Sequence, residues 1–291
     1  MQTTTRLNTP VSGILLMIGG LALLTLNDAV AKWLSPRYPV GEIIALRSLF
    51  IVITLGIGLG GRGGLKALKP TRYWNQFLRG LCFLVSSFAI VTALSLMPIA
   101  DATAITFASP LFIVALAGPL LGERVGLNRW VAAIIGFVGV LIIAKPTPNA
   151  FQWGALAALA AAVGSTARDM VTRHISAVES SNVTTFYSMV MGTAAGLLTA
   201  WVSPWSWPTG SDFWLFILLG VLNGGAHLMM IESYRRAEAS IVAPFRYTAL
   251  VWAILFGYVM WGDIPDVLLI TGSALVIGSG WYLFRHETRQ S

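Results

Sequence analysis

The sequence predicts an all-α membrane protein of ten transmembrane helices, arranged as two inverted five-helix repeats. Three observations lead there. Apolar residues make up 56% of the chain and charged ones only 11%, against a soluble norm of about 25% charged. The apolar residues fall in near-continuous stretches of the roughly 20 residues that a helix needs to cross a bilayer. The chain also repeats itself. At a shift of 141, Gly13, Asp28 and Lys32 meet Gly154, Asp169 and Arg173; at a shift of 140, Trp74, Gly80, Gly122 and Glu123 meet Trp214, Gly220, Gly262 and Asp263. Each copy holds five spans. Because five is odd, the second copy enters the membrane from the opposite side, an architecture found in secondary transporters.

In chain order the spans are expected at 12–34, 40–60, 74–97, 99–121 and 127–144 in the first repeat, and at 152–174, 182–203, 212–234, 239–260 and 265–284 in the second. The organisation is therefore a 1–11 N-terminus, a 12–144 repeat, a 145–151 linker, a 152–284 repeat and a 285–291 C-terminus. The first span lacks a small-residue cleavage site and is too long for a signal-peptide core, so it stays as a helix. Gly56/Gly60, Gly118/Gly122, Gly192/Gly196 and Gly220/Gly224 are four apart on one helix face, which lets backbones approach in lipid. Pro110 in span 4 and Pro244 in span 9 each remove a helical hydrogen bond, so both helices are expected to bend, at different depths. Spans 5 and 10 hold almost no polar residue and read as lipid-facing or dimer-forming scaffold, which leaves a homodimer open.

Charge sets the orientation. With the N-terminus inside, twelve Lys/Arg fall on the inner side and three on the outer, which places both termini in the cytoplasm. The net charge of +7 is then a topology signal, and no clustered basic face suggests nucleic acid. Ten of the eleven tryptophans lie near span boundaries, where an indole favours the headgroup layer. Trp252, the exception, is near the middle of span 9.

Polar residues inside spans usually face the bundle interior. The outer half collects Asp28, Lys32, Glu42, Arg47 and Asp101, and the inner half Arg168, Asp169, His227, Glu232 and Arg246. Lys32, Glu42 and Glu232 can reach the nearest interface along their stems. Asp28 with Arg47, and Arg168 with Asp169, are candidate gates, and pairing that merely holds helices together is the plain alternative. Asn27, Ser87, Thr106 and Asn223 lie nearer mid-depth, with His227 toward the inner side, Arg246 beside the span 9 break and Phe107, Tyr247 and Trp252 as candidate walls. These are the expected substrate-binding residues. No zinc motif, nucleophile elbow or phosphate loop is present, so no enzyme, metal or cofactor site is expected. No buried acid is expected to stand alone, which favours facilitated movement over proton antiport.

The stretch Ala93-Leu-Ser-Leu-Met-Pro-Ile-Ala100, then Ser109-Pro110, then Leu121-Gly-Glu-Arg124, resembles the EamA-type transporters of the drug/metabolite transporter superfamily. Arg47, in Ala45-Leu-Arg-Ser48, resembles that family's recurrent helix 2 arginine. Gly262-Asp263 stands where the second copy would carry Gly-Glu, and Leu250 where it would carry the proline. The resemblance implies a small-molecule exporter of a bacterial inner membrane. Within that class, amino acids with aromatic or apolar side chains suit an aromatic-lined cavity with few polar groups. The carboxylate would sit at Arg246 or Asn27 and the amine at Asp28 or Asp169. A cationic-drug exporter is the alternative, and a membrane enzyme or a channel the alternatives from other classes.

Overall fold

A computed structural model describes residues 10–60, 68–109, 112, 127–144, 153–175, 179–236 and 243–287. Ten α-helices lie among them. In chain order they are α1 Pro10–Leu34, α2 Val40–Gly60, α3 Tyr73–Leu96, α4 Ile99–Thr106, α5 Leu127–Ala144, α6 Trp153–Ile175, α7 Ser181–Thr199, α8 Ser211–Arg236, α9 Thr248–Trp261 and α10 Val267–Glu287. A 3₁₀ turn, Ala243–Tyr247, leads into α9. Pro110 and positions 113–121 of the expected fourth span lie outside the described residues, as do the 145–151 linker, the first nine residues and the last four.

Helix ends follow local chemistry. Ser180 caps α7 by accepting from the Val183 amide at 3.3 Å. That helix stops at Thr199, four residues short of the expected end, where the Trp201, Val202 and Ser203 amides turn back onto the carbonyls of Leu198 and Thr199. The α9 helix ends on Gly262, whose φ of 71° is the left-handed conformation that favours glycine. The Asp263 amide then returns to the Gly257 carbonyl at 3.3 Å. This gives the Gly262-Asp263 pair a structural reason: the first residue makes the reversal and the second closes it.

Packing obeys a two-fold relation between repeats. The most extensive contacts are α3 with α6 and α1 with α8, which exchange when each helix is replaced by its partner five positions away. The α5–α10 and α2–α7 pairs map onto themselves. In both self-paired contacts the equivalent helices run antiparallel. Gly41 faces Thr199 while Gly192 faces Ser48, and Gly136 faces Ser279 while Gly139 faces Gly272. Equivalent helices pointing opposite ways are what an inverted repeat requires.

Small residues set these crossings. A Cβ on Gly139 would lie 2.6 Å from the Gly272 carbonyl oxygen, and one on Gly272 2.6 Å from the Gly139 carbonyl oxygen. A Cβ on Gly196 would meet the Gly41 carbonyl at 2.5 Å. The expected pairs divide. Gly192 and Gly196 are both close-packed against α2, whereas Gly56 has nothing near it and Gly224 only a side-chain contact at 3.8 Å. The outer faces are apolar at helical spacing, as at Val131, Ile134, Val138 and Leu141 of α5 and Val251, Leu255 and Val259 of α9. Exposed apolar surface on this scale marks contact with lipid. Three helices, Val11–Leu34, Tyr73–Leu96 and Ser211–Met230, are each long and apolar enough by themselves to cross a bilayer.

Candidate functional site

Two polar centres occupy the interior. The first joins α1, α2, α3 and α8. Asn27 is fully buried, and its amide donates to the Leu219 carbonyl at 2.9 Å. That bond fixes the side-chain oxygen as an acceptor, which takes Arg47 at 3.4 Å and Asn223 at 3.5 Å. The other Arg47 nitrogen donates to Ser87 at 3.1 Å. Arg47 is 3% exposed, yet these partners are all neutral. The Asn223 oxygen is buried with no partner.

Asp28 does not close this centre. It feels the Arg47 charge, but the two make no ion pair within 4 Å, and no hydrogen bond to the Asp28 carboxylate occurs among the described residues. An acid therefore does stand alone in the bundle, and the sequence argument against proton coupling loses its premise.

The second centre joins α3, α6, α7 and the turn before α9. Asp169 accepts from Arg168 at 3.1 Å and pairs with Arg246 at 3.7 Å. Their side chains are 38%, 21% and 41% exposed, so this centre is open where the first is sealed. Arg79 adds a further guanidinium. It donates to the Thr172 hydroxyl at 2.7 Å, the Thr184 carbonyl at 3.1 Å and the Ser188 hydroxyl at 2.5 Å. It also lies within the electrostatic reach of Arg168 and Asp169. Depth within a span does not single Arg79 out, because it sits only six residues into α3. The usable signal is an arginine more than one turn inside an apolar helix. His227 lies in the electrostatic field of both centres, of Arg47 as well as of Arg79, Arg168 and Asp169.

An aromatic wall flanks the second centre. The Phe107 and Tyr247 rings meet edge to face at 5.2 Å, directly after Arg246 in sequence. Trp252 stacks on Phe256 at 6.2 Å, and its indole N–H is buried without an acceptor. Thr106 turns back to the Thr103 carbonyl at 2.7 Å, at the end of α4. Pro244 lies within the 3₁₀ turn.

The long side chains expected to reach the interface do otherwise. The Lys32 ammonium donates to the Leu94 and Met97 carbonyls at 3.0 and 2.5 Å, capping the C-terminus of α3, with the Trp261 ring 5.5 Å away. Glu42 is buried and accepts from the Ser206 amide at 3.2 Å. Glu232 pairs with Arg236 at 2.9 Å on the surface. Among the described residues no cluster of His, Cys, Asp and Glu is arranged to hold a metal.

Comparison with known proteins agrees with this architecture. A chain in a solved crystal structure superposes with a TM-score of 0.67 at 24% identity, covering 97% of this chain and 99% of that one, and so shares the fold. A riboflavin transporter of Rhizobium johnstonii is 29% identical over 96% of this chain and 93% of its own. An S-adenosylmethionine uptake transporter of Rickettsia prowazekii is 27% identical over 97% and 96%. A pseudopaline exporter of Pseudomonas aeruginosa is 26% identical over 91% and 93%. These relatives carry chemically different cargo and include both an uptake protein and an exporter. The EamA-like transporter family matches twice, over residues 11–145 and 152–285. With both halves of the chain matched, this multi-pass membrane protein belongs to the EamA-like transporter family, whose members move small molecules.

Proposed function

We propose that the chain exports amino acids, with aromatic or apolar side chains favoured, by alternating access between the two repeats. The observation that carries this reading is the position of Arg246. Its side chain is 41% exposed, pairs with Asp169 at 3.7 Å, and directly precedes an aromatic pair. A carboxylate can take a charge-assisted hydrogen bond there while its side chain lies on the Phe107–Tyr247 wall. The α-amine is bonded to the carbon that bears the carboxylate, so Asp169, 3.7 Å from Arg246, is the acid beside it. Asp28 is what supports the cationic-drug alternative; the arginine-rich interior weighs against it.

The bacterial inner membrane is the proposed location, with both termini cytoplasmic and the Asp169 centre on the inner side. The test is counterflow of L-phenylalanine and L-leucine in proteoliposomes of purified protein. Arg246→Ala should lower transport of the amino acids about tenfold at unchanged thermal stability, the loss of one charge-assisted contact. L-phenylalanine amide, lacking the carboxylate, should lose much less. Equal losses for acid and amide would return Arg246 to a packing role, and no counterflow at all would end the amino-acid reading. The same vesicles, assayed with and without a pH gradient, decide whether lone Asp28 makes transport proton-coupled.

A further inference from the structure

Among the described residues four arginines, Arg47, Arg79, Arg168 and Arg246, reach the interior, and the acids beside them are unevenly used. Asp169 is taken by Arg168 and Arg246. Arg47 and Arg79 have neutral partners only: Asn27 and Ser87 for the first, Thr172, Thr184 and Ser188 for the second. Buried charges are normally paired or bind ions, because desolvating a lone guanidinium is costly. Arg79 is the more telling case. Its Nε and one terminal nitrogen are held by α6 and α7, which fixes the plane of the fork. Its second terminal nitrogen meets no acceptor among the described residues. The Thr172 hydroxyl that Arg79 holds donates in turn to the Arg168 carbonyl at 2.7 Å, and the guanidinium lies in the field of Arg168, Asp169 and His227. A planar donor fork held by neutral clamps, next to two arginines that share one carboxylate, has the make-up of an oxyanion site.

We infer that Arg79, with Arg168, forms a subsite for a carboxylate or phosphate group of the substrate, distinct from the carboxylate placed at Arg246. The substrate class narrows accordingly, to amino acids that carry a second anionic group beside the α-carboxylate. This refinement rests on the transport reading above, with the amino-acid carboxylate at Arg246. Its own evidence is the neutral shell of Arg79, which does not depend on the cargo being an amino acid. An anionic lipid headgroup offers the same chemistry, so the test must separate the two sources.

The experiment measures ligand-induced thermal stabilisation and intrinsic tryptophan fluorescence of the full chain in phosphatidylcholine nanodiscs. Two matched pairs serve as probes: 4-carboxy-L-phenylalanine against L-phenylalanine, and succinate against succinamide. The carboxylated member of each pair should bind about tenfold more tightly, a gain equivalent to one charge-assisted contact. Arg79→Gln should erase that preference. Thr172→Val, which loosens one clamp and keeps the charge, should lower the melting temperature and retain the preference. If Arg79→Gln does not fold, Arg79→Lys takes its place and should keep only part of the preference. Wild-type protein that binds both members of each pair alike overturns the inference, as does an unaltered preference in the Arg79 variant. A preference for succinate with no binding of either phenylalanine keeps the subsite and rejects the amino-acid cargo. A preference that vanishes when phosphatidylglycerol is added at equal salt assigns Arg79 to lipid and overturns the substrate claim.

Discussion

The two polar centres are built on equivalent helices and behave differently. Asn27 of α1 corresponds to Arg168 of α6 at the 141-residue shift, just as Asp28 corresponds to Asp169. At the 140-residue shift, Ser87 corresponds to His227 and Thr106 to Arg246. In the first copy Asn27, Ser87 and Thr106 are neutral, and the network around Asn27 is sealed: Asn27 is 0% and Ser87 5% exposed. In the second copy two of their three counterparts are arginines, and Asp169 and Arg246 are 38% and 41% exposed. The backbone has kept its two-fold relation while the side chains have diverged. Symmetry of the helices gives the repeats two mirror-related ways to lean. Asymmetry of the side chains decides which end is dry and which end presents charge to a substrate. Asp28 sharpens the contrast, because the carboxylate common to both copies is paired in one and unpaired in the other.

Substitutions that attack this difference should rank in a definite order. The largest effect is expected at the sealed centre. Asn27→Leu removes the acceptor of both Arg47 and Asn223 and the donor to Leu219. A buried guanidinium then loses one of its two partners, which should cost about 2–3 kcal/mol. Denaturant titration of the purified protein in mixed micelles measures this. The matching change in the open centre, Arg168→Leu, leaves Asp169 paired to Arg246 and part-exposed, and should cost clearly less. Equal costs at both positions would remove the distinction between a sealed and an open centre.

A middle-sized effect concerns the two aspartates, proposed as gates on opposite sides. Such pairs are worth about 1–2 kcal/mol net, enough to move a two-state equilibrium roughly five- to thirtyfold. Asp169→Asn weakens two arginine contacts and should favour the form open at that end. Asp28→Asn should favour the opposite form, and by less, since Asp28 has no ion pair to lose. Accessibility of single cysteines to an impermeant thiol reagent reports both. The same labelling checks orientation, because a cysteine at Asn149 should react from outside while those at Thr4, Lys66 and Gln290 should not. Shifts in the same direction for both aspartates would reject the gate assignment.

Much of this arrangement was legible in the sequence, and the reason is specific. Depth along a helix can be counted, so the Arg168–Asp169–Arg246 cluster and the meeting of Asn27 with Asn223 follow from position in the spans. Azimuth around a helix cannot be counted in an apolar chain, because lipid-facing and buried faces are both greasy. Arg79 was therefore missed, although it points between α6 and α7, and Asp28 was matched to Arg47, which in fact turns toward Asn27 and Ser87. The close crossing of α5 and α10 was hidden for a related reason. Gly136, Gly139 and Gly272 lie on two helices that look like plain scaffold one at a time, and only their pairing shows that each fills the gap left by the other.

The smallest effect should come from the surface ends, where the two repeats again meet through equivalent loops. Between α1 and α2, Arg37 pairs with Asp212 at 2.7 Å, and Tyr38 donates to the same carboxylate at 2.9 Å. In the equivalent contact of the second repeat, Glu179 before α7 accepts from the Thr71 and Arg72 amides at 2.7 and 2.8 Å. Both contacts tie one repeat to the other, with the acid contributed from opposite sides of the contact. Arg37 is 49% exposed, so its ion pair is screened by water and salt. Tyr38 remains to hold Asp212 when it is gone. Arg37→Ala should therefore cost no more than about 0.5–1 kcal/mol, and the cost should shrink at high salt. Glu179→Gln keeps an acceptor for the two amides but loses the charge, and its effect should be of similar size. Melting temperatures of both variants at low and high salt make the comparison. A loss at Arg37 as large as that at Asn27, unchanged by salt, would place a main structural tie at the surface and overturn the view that the sealed interior centre holds the repeats together.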